Sequence, residues 1–99
     1  MTDVKTKLAQ DLANVEWGVL TPHAKRDAII VVCEDLNIVD VGAAIAQDDV
    51  ISVQHWISEQ LIQKPNPEQL TSWNNSPSKQ FSTLIVQPFV LVQEATLES

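Results

Sequence analysis

The stretch LNIVDVGAAIAQDDVISVQHWISEQLIQKP, residues 36–65, contains the pattern that decides the predicted fold. Its first third is rich in small and apolar residues, which is typical of a closely packed helix. Polar residues 47–49 then interrupt this pattern. Apolar residues recur at helical spacing from Val50 to Ile57, so the stretch predicts two consecutive helices over residues 38–60. Such a pair resembles a helix-turn-helix, whose second helix often enters the DNA major groove.

The charge of this stretch opposes an interpretation as a DNA-binding element. Gln54 and His55 lie on the exposed side of the second helix, and a glutamine can read adenine. Nucleic-acid binding, however, draws most of its affinity from cations that contact phosphates. Lys64 is the single cation of the stretch, against four carboxylates at positions 40, 48, 49 and 59. Nucleic acid is therefore disfavoured as a partner.

Length and composition indicate one globular domain. The 99 residues are 44% apolar and 19% charged, and their net charge is −7, so we expect a single domain over residues 1–99 with an ordered core over about 3–94. The acidity favours solubility. Cys33 is the single cysteine and cannot form an internal disulfide, which favours a reducing compartment. No secretory signal or membrane-spanning run is visible, so the sequence predicts a soluble cytoplasmic protein without membrane partners.

The residues before the helical pair predict a helix, a turn and a strand. Apolar residues at helical spacing predict an amphipathic helix over residues 3–15, which Gly18 is expected to end. Thr21 followed by Pro22 is typical of a helix N-cap and first helical position. Residues 28–33 fit either a short buried strand or a helix, and four consecutive β-branched residues favour the strand.

The residues after the pair predict mostly extended structure. A short strand is expected over residues 61–64, and a short helix from Pro67 to Trp73. Residues 81–94 predict one strand that is apolar on both faces. Pro88 cannot donate a ladder hydrogen bond, which places it at a bulge or on an edge strand.

These elements together predict a small α+β domain resembling a winged helix. It has an N-terminal helix, the helical pair and a short β-ribbon that ends in the C-terminal strand. An all-α bundle with a C-terminal strand exchanged between protomers is the alternative fold. An uncovered apolar edge strand invites pairing with another chain, so residues 81–93 are a candidate homodimer contact.

Catalytic and metal-binding patterns are not found in the sequence. His23, Cys33 and His55 lie far apart and have no metal-ligand spacing. The chain has two glycines, which excludes a glycine-rich phosphate loop. Adjacent carboxylates at positions 34–35 and 48–49 point apart in regular structure. We therefore predict no cofactor, no metal and no enzymatic activity, and an enzyme of unknown class remains an alternative.

The cluster His23-Ala24-Lys25-Arg26-Asp27 is the one concentrated positive patch and contains the single arginine. Arg26 offers a bidentate fork that can bind a carboxylate or phosphate. The interpretation that we favour is structural, with Arg26 paired to Asp27, to Glu34 or to an acid of the first helix. The three tryptophans are expected in the core, although Trp17 and Trp73 lie at element ends where an indole can also anchor a partner.

Several blocks resemble a family of small bacterial proteins catalogued as domain of unknown function 2288. The likeness covers about residues 3–94 and is most specific in LIVQPFVLVQ, residues 84–93. The other similar blocks are Glu16-Trp17 with Leu20, His23 and Arg26; Leu36 through Asp48; and Trp56-Ile57 followed by Lys64-Pro65. The resemblance implies a cytosolic bacterial protein of cyanobacterial type and brings no activity or site residue with it.

The function favoured by the sequence is a non-catalytic protein-interaction or homodimerisation module. A transcription regulator that contacts nucleic acid through the helical pair is the first alternative, and an enzyme is the second. The candidate interaction surface consists of His23, Arg26, Gln54, His55, Trp73, Pro88 and Phe89.

Overall fold

A five-stranded mixed sheet and five helices make up residues 4–94, the part of the chain that the computed structural model describes. The helices are Val4–Asp11 (α1), Trp17–Lys25 (α2), Ile38–Ala46 (α3), Val50–Ser58 (α4) and Pro67–Asn74 (α5). The strands are Ala13–Glu16 (β1), Ile29–Val32 (β2), Ile62–Gln63 (β3), Gln80–Val86 (β4) and Phe89–Glu94 (β5). The predicted α+β class is confirmed, with a sheet larger than the predicted short ribbon.

The C-terminal strands lie in the interior of the sheet. The strand order is β1-β4-β5-β2-β3, so β5 lies between β4 and β2. The pair β2–β5 is parallel, and the three other pairs are antiparallel. The edges of the sheet are β1 and β3, which have four and two residues. Short edge strands offer little backbone for pairing with another chain.

The prediction of one strand over residues 81–94 is wrong, because the chain forms a hairpin there. Val86 pairs with Phe89, and Gln87-Pro88 makes the two-residue turn through a cis peptide bond. Pro88 therefore lies in a turn, where its missing N–H costs no ladder hydrogen bond, and not at a bulge or on an edge.

Both faces of the sheet are covered, each by its own cluster of apolar side chains. On one face α2 and α5 contribute Trp17 and Trp73, whose ring centroids are 5.0 Å apart and which both contact Phe81. On the other face α1, α3 and α4 pack over residues such as Leu84 and Leu91. This two-sided burial explains why most of residues 81–92 are apolar.

The predicted helical pair is confirmed as α3 and α4, and the side chain before each helix caps it. The Asn37 side chain accepts a hydrogen bond from the Val39 N–H, and that of Asp49 accepts one from the Ser52 N–H. Asn66 caps α5 in the same way. The structure also confirms the strand over residues 28–33, the short strand over 61–64 and the helix from Pro67.

The boundaries predicted around α1 and α2 are wrong. The first helix ends at Asp11, because Ala13–Glu16 pairs with β4. Gly18 and Pro22 do not end or begin a helix but lie inside α2. Pro22 cannot donate to the Gly18 carbonyl, and the Thr21 hydroxyl donates to it instead, at 3.0 Å.

Three helices are each followed by a residue with a left-handed backbone conformation. Asp27, Asp48 and Gln60 follow α2, α3 and α4 with φ near 60°. After each helix, two successive backbone N–H groups donate back to its last turn, as in a Schellman motif. These sharp endings place Asp48 and Gln60 at the margins of the space between α4 and the sheet.

Candidate interaction surface

An apolar groove, here called the α4 groove, lies between α4 and the sheet and has a volume of about 610 Å³. The sheet contributes Ile30 and Ile62 to it, and the hairpin contributes Phe89. Val53 and Ile57 line it from α4. A cleft of this volume with mostly apolar walls is typical of a binding site.

The groove exists because α4 packs loosely against the rest of the fold. No residue of α4 is fully buried. Val53 and Trp56 make partial contacts with the core, while Val50 and Ile57 remain 54% and 55% exposed. Ile51, on the outer side of the helix, is 83% exposed. The apolar surface of α4 therefore continues from the groove onto the outside of the molecule.

The charged residues of the groove lie at its margins. Asp48 and Asp49 precede α4, and Lys64 lies beyond β3, where its ammonium is paired with the Asp27 carboxylate. The Ser52 hydroxyl and backbone N–H donate to the Asp49 carboxylate at 2.8 and 3.2 Å. These hydrogen bonds lower the pKa of Asp49 below its ordinary value. The margin of the groove is therefore acidic at neutral pH.

A second depression, here called the hairpin pocket, lies between the end of α2 and the β4–β5 turn and has a volume of about 400 Å³. His23 lines it from α2, and Arg26 lines it from the position directly after that helix. Ile85, Pro88 and Phe89 line it from the hairpin. Phe89 lines the α4 groove as well, so the two depressions share one side chain.

Arg26 does not form the ion pair expected from the sequence. Its guanidinium lies 3.0 Å from Nδ1 of His23, and because arginine can only donate, Nδ1 is the acceptor. Asp27 pairs with Lys64 instead. Within residues 4–94 no carboxylate oxygen lies within 4 Å of the Arg26 guanidinium, so the predicted pairing with Asp27, Glu34 or an acid of α1 is wrong.

The structure brings four of the seven predicted interaction residues together. His23, Arg26, Pro88 and Phe89 line the hairpin pocket, although they come from segments about sixty residues apart. Gln54 and His55 lie elsewhere, exposed on α4.

Trp73 does not belong to a surface, and its place among the predicted interaction residues is wrong. It is 3% exposed and packs against Trp17 and Phe81. Trp17 is fully buried and donates from its indole Nε1 to the Asn74 side chain at 2.8 Å. The expectation of a core position is confirmed for both tryptophans, because an indole whose N–H has a partner can be buried at low cost.

The sequence prediction missed the apolar residues of the α4 groove. Val50 and Ile57 fit a core-facing stripe by their spacing, and nothing in that spacing indicates that the stripe is left half uncovered. Ile51 is the one local signal, because it lies about 100° around the helix from Val50 and widens the apolar face beyond a core stripe.

Within the described part of the chain, no helix has both the length and the apolar character needed to cross a bilayer. Residues 4–94 also contain no group of three His, Cys, Asp or Glu side chains placed to hold a metal ion.

Comparisons with known proteins give a family and a structural relative. A family model described as protein of unknown function (DUF2288) matches residues 3–94. PA1075 from Pseudomonas aeruginosa, which has a solution NMR structure, is 28% identical to this chain in sequence. The two structures superpose with a TM-score of 0.78. The match covers 99% of this chain and 94% of that chain. No curated protein matches the chain.

Proposed function

The chain belongs to the DUF2288 family, and we propose that it is a non-catalytic protein-interaction module whose binding surface is the α4 groove. The observation that supports this proposal is the apolar face of α4, which the fold leaves half uncovered. A small molecule within the groove would leave Ile51 in water. A protein segment along α4 would cover both the groove and the outer apolar surface, which favours a macromolecular partner.

The partner that fits best is an amphipathic helix with apolar anchors and Lys or Arg residues at its ends. Apolar anchors spaced along such a helix suit a groove of this kind. Asp48 and Asp49 at the margin favour a cationic flank, and the chain as a whole has a net charge of −7. Electrostatic complementarity would then increase both the association rate and the specificity of the complex.

A second copy of this chain suits the groove less well. Two copies would bring Asp48 and Asp49 of each protomer towards another acidic surface, which opposes association at low ionic strength. The predicted homodimer contact through residues 81–93 would need a free strand edge, whereas β4 and β5 are interior strands.

We also propose that the architecture is winged-helix-like. In it, α3 and α4 correspond to the helical pair and the β4–β5 hairpin to the wing. In this arrangement α4 forms the wall of a protein-binding groove and does not act as a DNA-reading helix, because acidic residues flank it.

The test uses two synthetic amphipathic peptides with the same apolar pattern, one with Lys and Arg ends and one with Glu ends. We expect calorimetry to show that the basic peptide binds more tightly by about ten-fold or more, a difference of about 1.4 kcal/mol. Amide shifts in NMR spectra of the labelled protein should concentrate at Ile30, Val53, Ile57 and Phe89.

The matched variants are Ile57→Asp in the groove and Val19→Asp on α2. Both side chains are largely exposed, at 55% and 63%, so both variants are expected to fold. Only Ile57→Asp should weaken peptide binding. Equal effects of the two variants, or no binding of either peptide, would contradict the proposal. A concentration-dependent dimer that Ile57→Asp dissociates would replace it with self-association.

A further inference from the structure

The geometry points to a second binding site: we propose that the hairpin pocket binds a carboxylate attached to an apolar group. The ligand chemistry is that of a peptide C-terminus with an apolar last residue, or of a small organic acid. This site is separate from the proposed function, because Phe89 is the one lining residue that it shares with the α4 groove.

No acidic side chain of the described residues neutralises the charge of Arg26. Within the described residues, its guanidinium has one side-chain hydrogen bond, to a ring nitrogen of His23, and no carboxylate within 4 Å. A guanidinium has five N–H donors, so most of them remain available. In a chain with thirteen acidic residues, an arginine without an acidic partner is available for an external anion.

The charge of Arg26 lies beside apolar side chains of the hairpin. Ile85 is 54% exposed although it lies in an interior strand, and it borders the same pocket as Arg26. Pro88 and Phe89 extend this apolar wall along the hairpin turn. A ligand with an apolar group next to its anionic group can therefore contact both parts of the pocket at once.

The hairpin pocket suits a carboxylate better than a phosphate. Arginine binds a carboxylate through two parallel hydrogen bonds, and its single positive charge matches a monoanion. A phosphate bears more negative charge, and a protein with a net charge of −7 repels it more strongly. A carboxylate monoanion is repelled less, and contact of its attached apolar group with the apolar wall offsets this repulsion. Inorganic phosphate has no apolar group that could make this contact.

The test is an NMR titration of the labelled protein with N-acetyl-leucine, its amide, hexanoate and inorganic phosphate. We expect saturable shifts at Ala28, Ile85 and Gln87 with the two carboxylates, and none with the amide or phosphate. Tighter binding of N-acetyl-leucine than of hexanoate would identify a peptide C-terminus as the ligand, and equal binding a small organic acid. Equal response to N-acetyl-leucine and its amide would overturn the proposal.

The matched variants are Arg26→Gln and Lys25→Gln, which change the net charge equally. Both residues are exposed, and only Arg26 lines the pocket. Arg26→Gln should weaken carboxylate binding by about ten-fold or more, and Lys25→Gln by less than about two-fold. Arg26→Lys should give an intermediate loss, since lysine lacks the bidentate fork. Equal losses for Arg26→Gln and Lys25→Gln would show that a general charge effect, and not a site, is responsible.

Discussion

Asp49 connects the margin of the α4 groove with the stability of α4 itself. Its carboxylate is the N-cap of the helix and accepts two hydrogen bonds from Ser52. A carboxylate before an apolar helical pattern is a typical start signal of a helix, so the cap of α4 has a local signal in the sequence. The structure assigns it to Asp49.

The lowered pKa of Asp49 makes this cap dependent on pH. The side-chain hydrogen bond from Ser52 is the main cause, followed by the bond from the Ser52 N–H. Both favour the ionised form in the folded state. The stabilisation is therefore complete above the unfolded-state pKa, near 3.8, and is lost as the pH falls through the lower folded-state pKa.

We expect the difference in Tm between the wild type and Asp49→Asn to be largest near neutral pH and to shrink as the pH falls below about 4. Circular dichroism melts over this range measure it. Ser52→Ala is the control, because it removes the hydroxyl group that is the main cause of the lowered pKa of Asp49. The pH-dependent part of the stabilisation by Asp49 should therefore be smaller in this variant. A difference in Tm that stays constant down to pH 3 would refute this account of the cap.

Arg26 shows where prediction at the residue scale fails. Adjacent opposite charges in a sequence suggest an ion pair between Arg26 and Asp27. The left-handed conformation of Asp27 instead directs its carboxylate to Lys64, thirty-seven residues away. The pairing of surface charges depends on backbone turns and on distant elements, and neither can be read from the local sequence.

At the scale of helices and strands, the predictions that rest on signals within the element itself are confirmed. The helical pair and α5 have capping side chains, and β2 has consecutive β-branched residues, so their signals lie within the element itself. The C-terminal end of α1 and the split of residues 81–94 into a hairpin depend on strand pairing. A run that is apolar on both faces fits one long strand or two short ones equally well.

Both glycines lie in helices, and substitution by alanine is expected to change the free energy of unfolding in opposite directions at the two positions. A Cβ at Gly42 would lie 2.6 Å from Cδ2 of Leu84, which is fully buried, and 3.3 Å from Cγ2 of Val86. A Cβ at Gly18 would meet nothing closer than 3.5 Å, at the Pro77 carbonyl. Close packing of α3 on β4 therefore requires Gly42, whereas α2 does not require Gly18.

We expect Gly42→Ala to lower the free energy of unfolding by about 1 kcal/mol, since overpacking costs about 1–3 kcal/mol and the gain in helix propensity returns about 1. Gly18→Ala should raise it by about 0.5 kcal/mol. Urea denaturation of both variants measures the two changes. If Gly42→Ala raised the free energy of unfolding as Gly18→Ala does, α3 and β4 would not be in the close contact described.

At the scale of the whole molecule, neither depression follows from any single stretch of sequence. The α4 groove combines β2, α4 and the hairpin, and the hairpin pocket combines α2 with residues sixty positions later. The apolar and cationic residues are visible in the sequence, but their juxtaposition depends on the parallel pairing of β2 with β5. Such long-range pairing has no local signal.

The charge distribution over the whole molecule disfavours nucleic acid as a partner. Gln54 and His55 are exposed on α4, as a DNA-reading helix would require. The carboxylates of Asp48, Asp49 and Glu59 lie at the two ends of this helix, and the net charge of the chain is −7. Phosphate contacts that would hold α4 in a groove of DNA would therefore have to form beside these carboxylates, and Lys64, the cation at the margin of the α4 groove, is already paired with Asp27.

We accordingly expect no saturable rise in the fluorescence anisotropy of a labelled mixed-sequence duplex at low salt, where phosphate-driven binding is strongest. The variant Asp48→Lys combined with Asp49→Lys tests whether charge is the cause, because it places two cations before α4 and should permit weak, salt-sensitive binding. Binding by the wild type that is lost in Gln54→Ala would show instead that α4 reads bases despite its acidic ends.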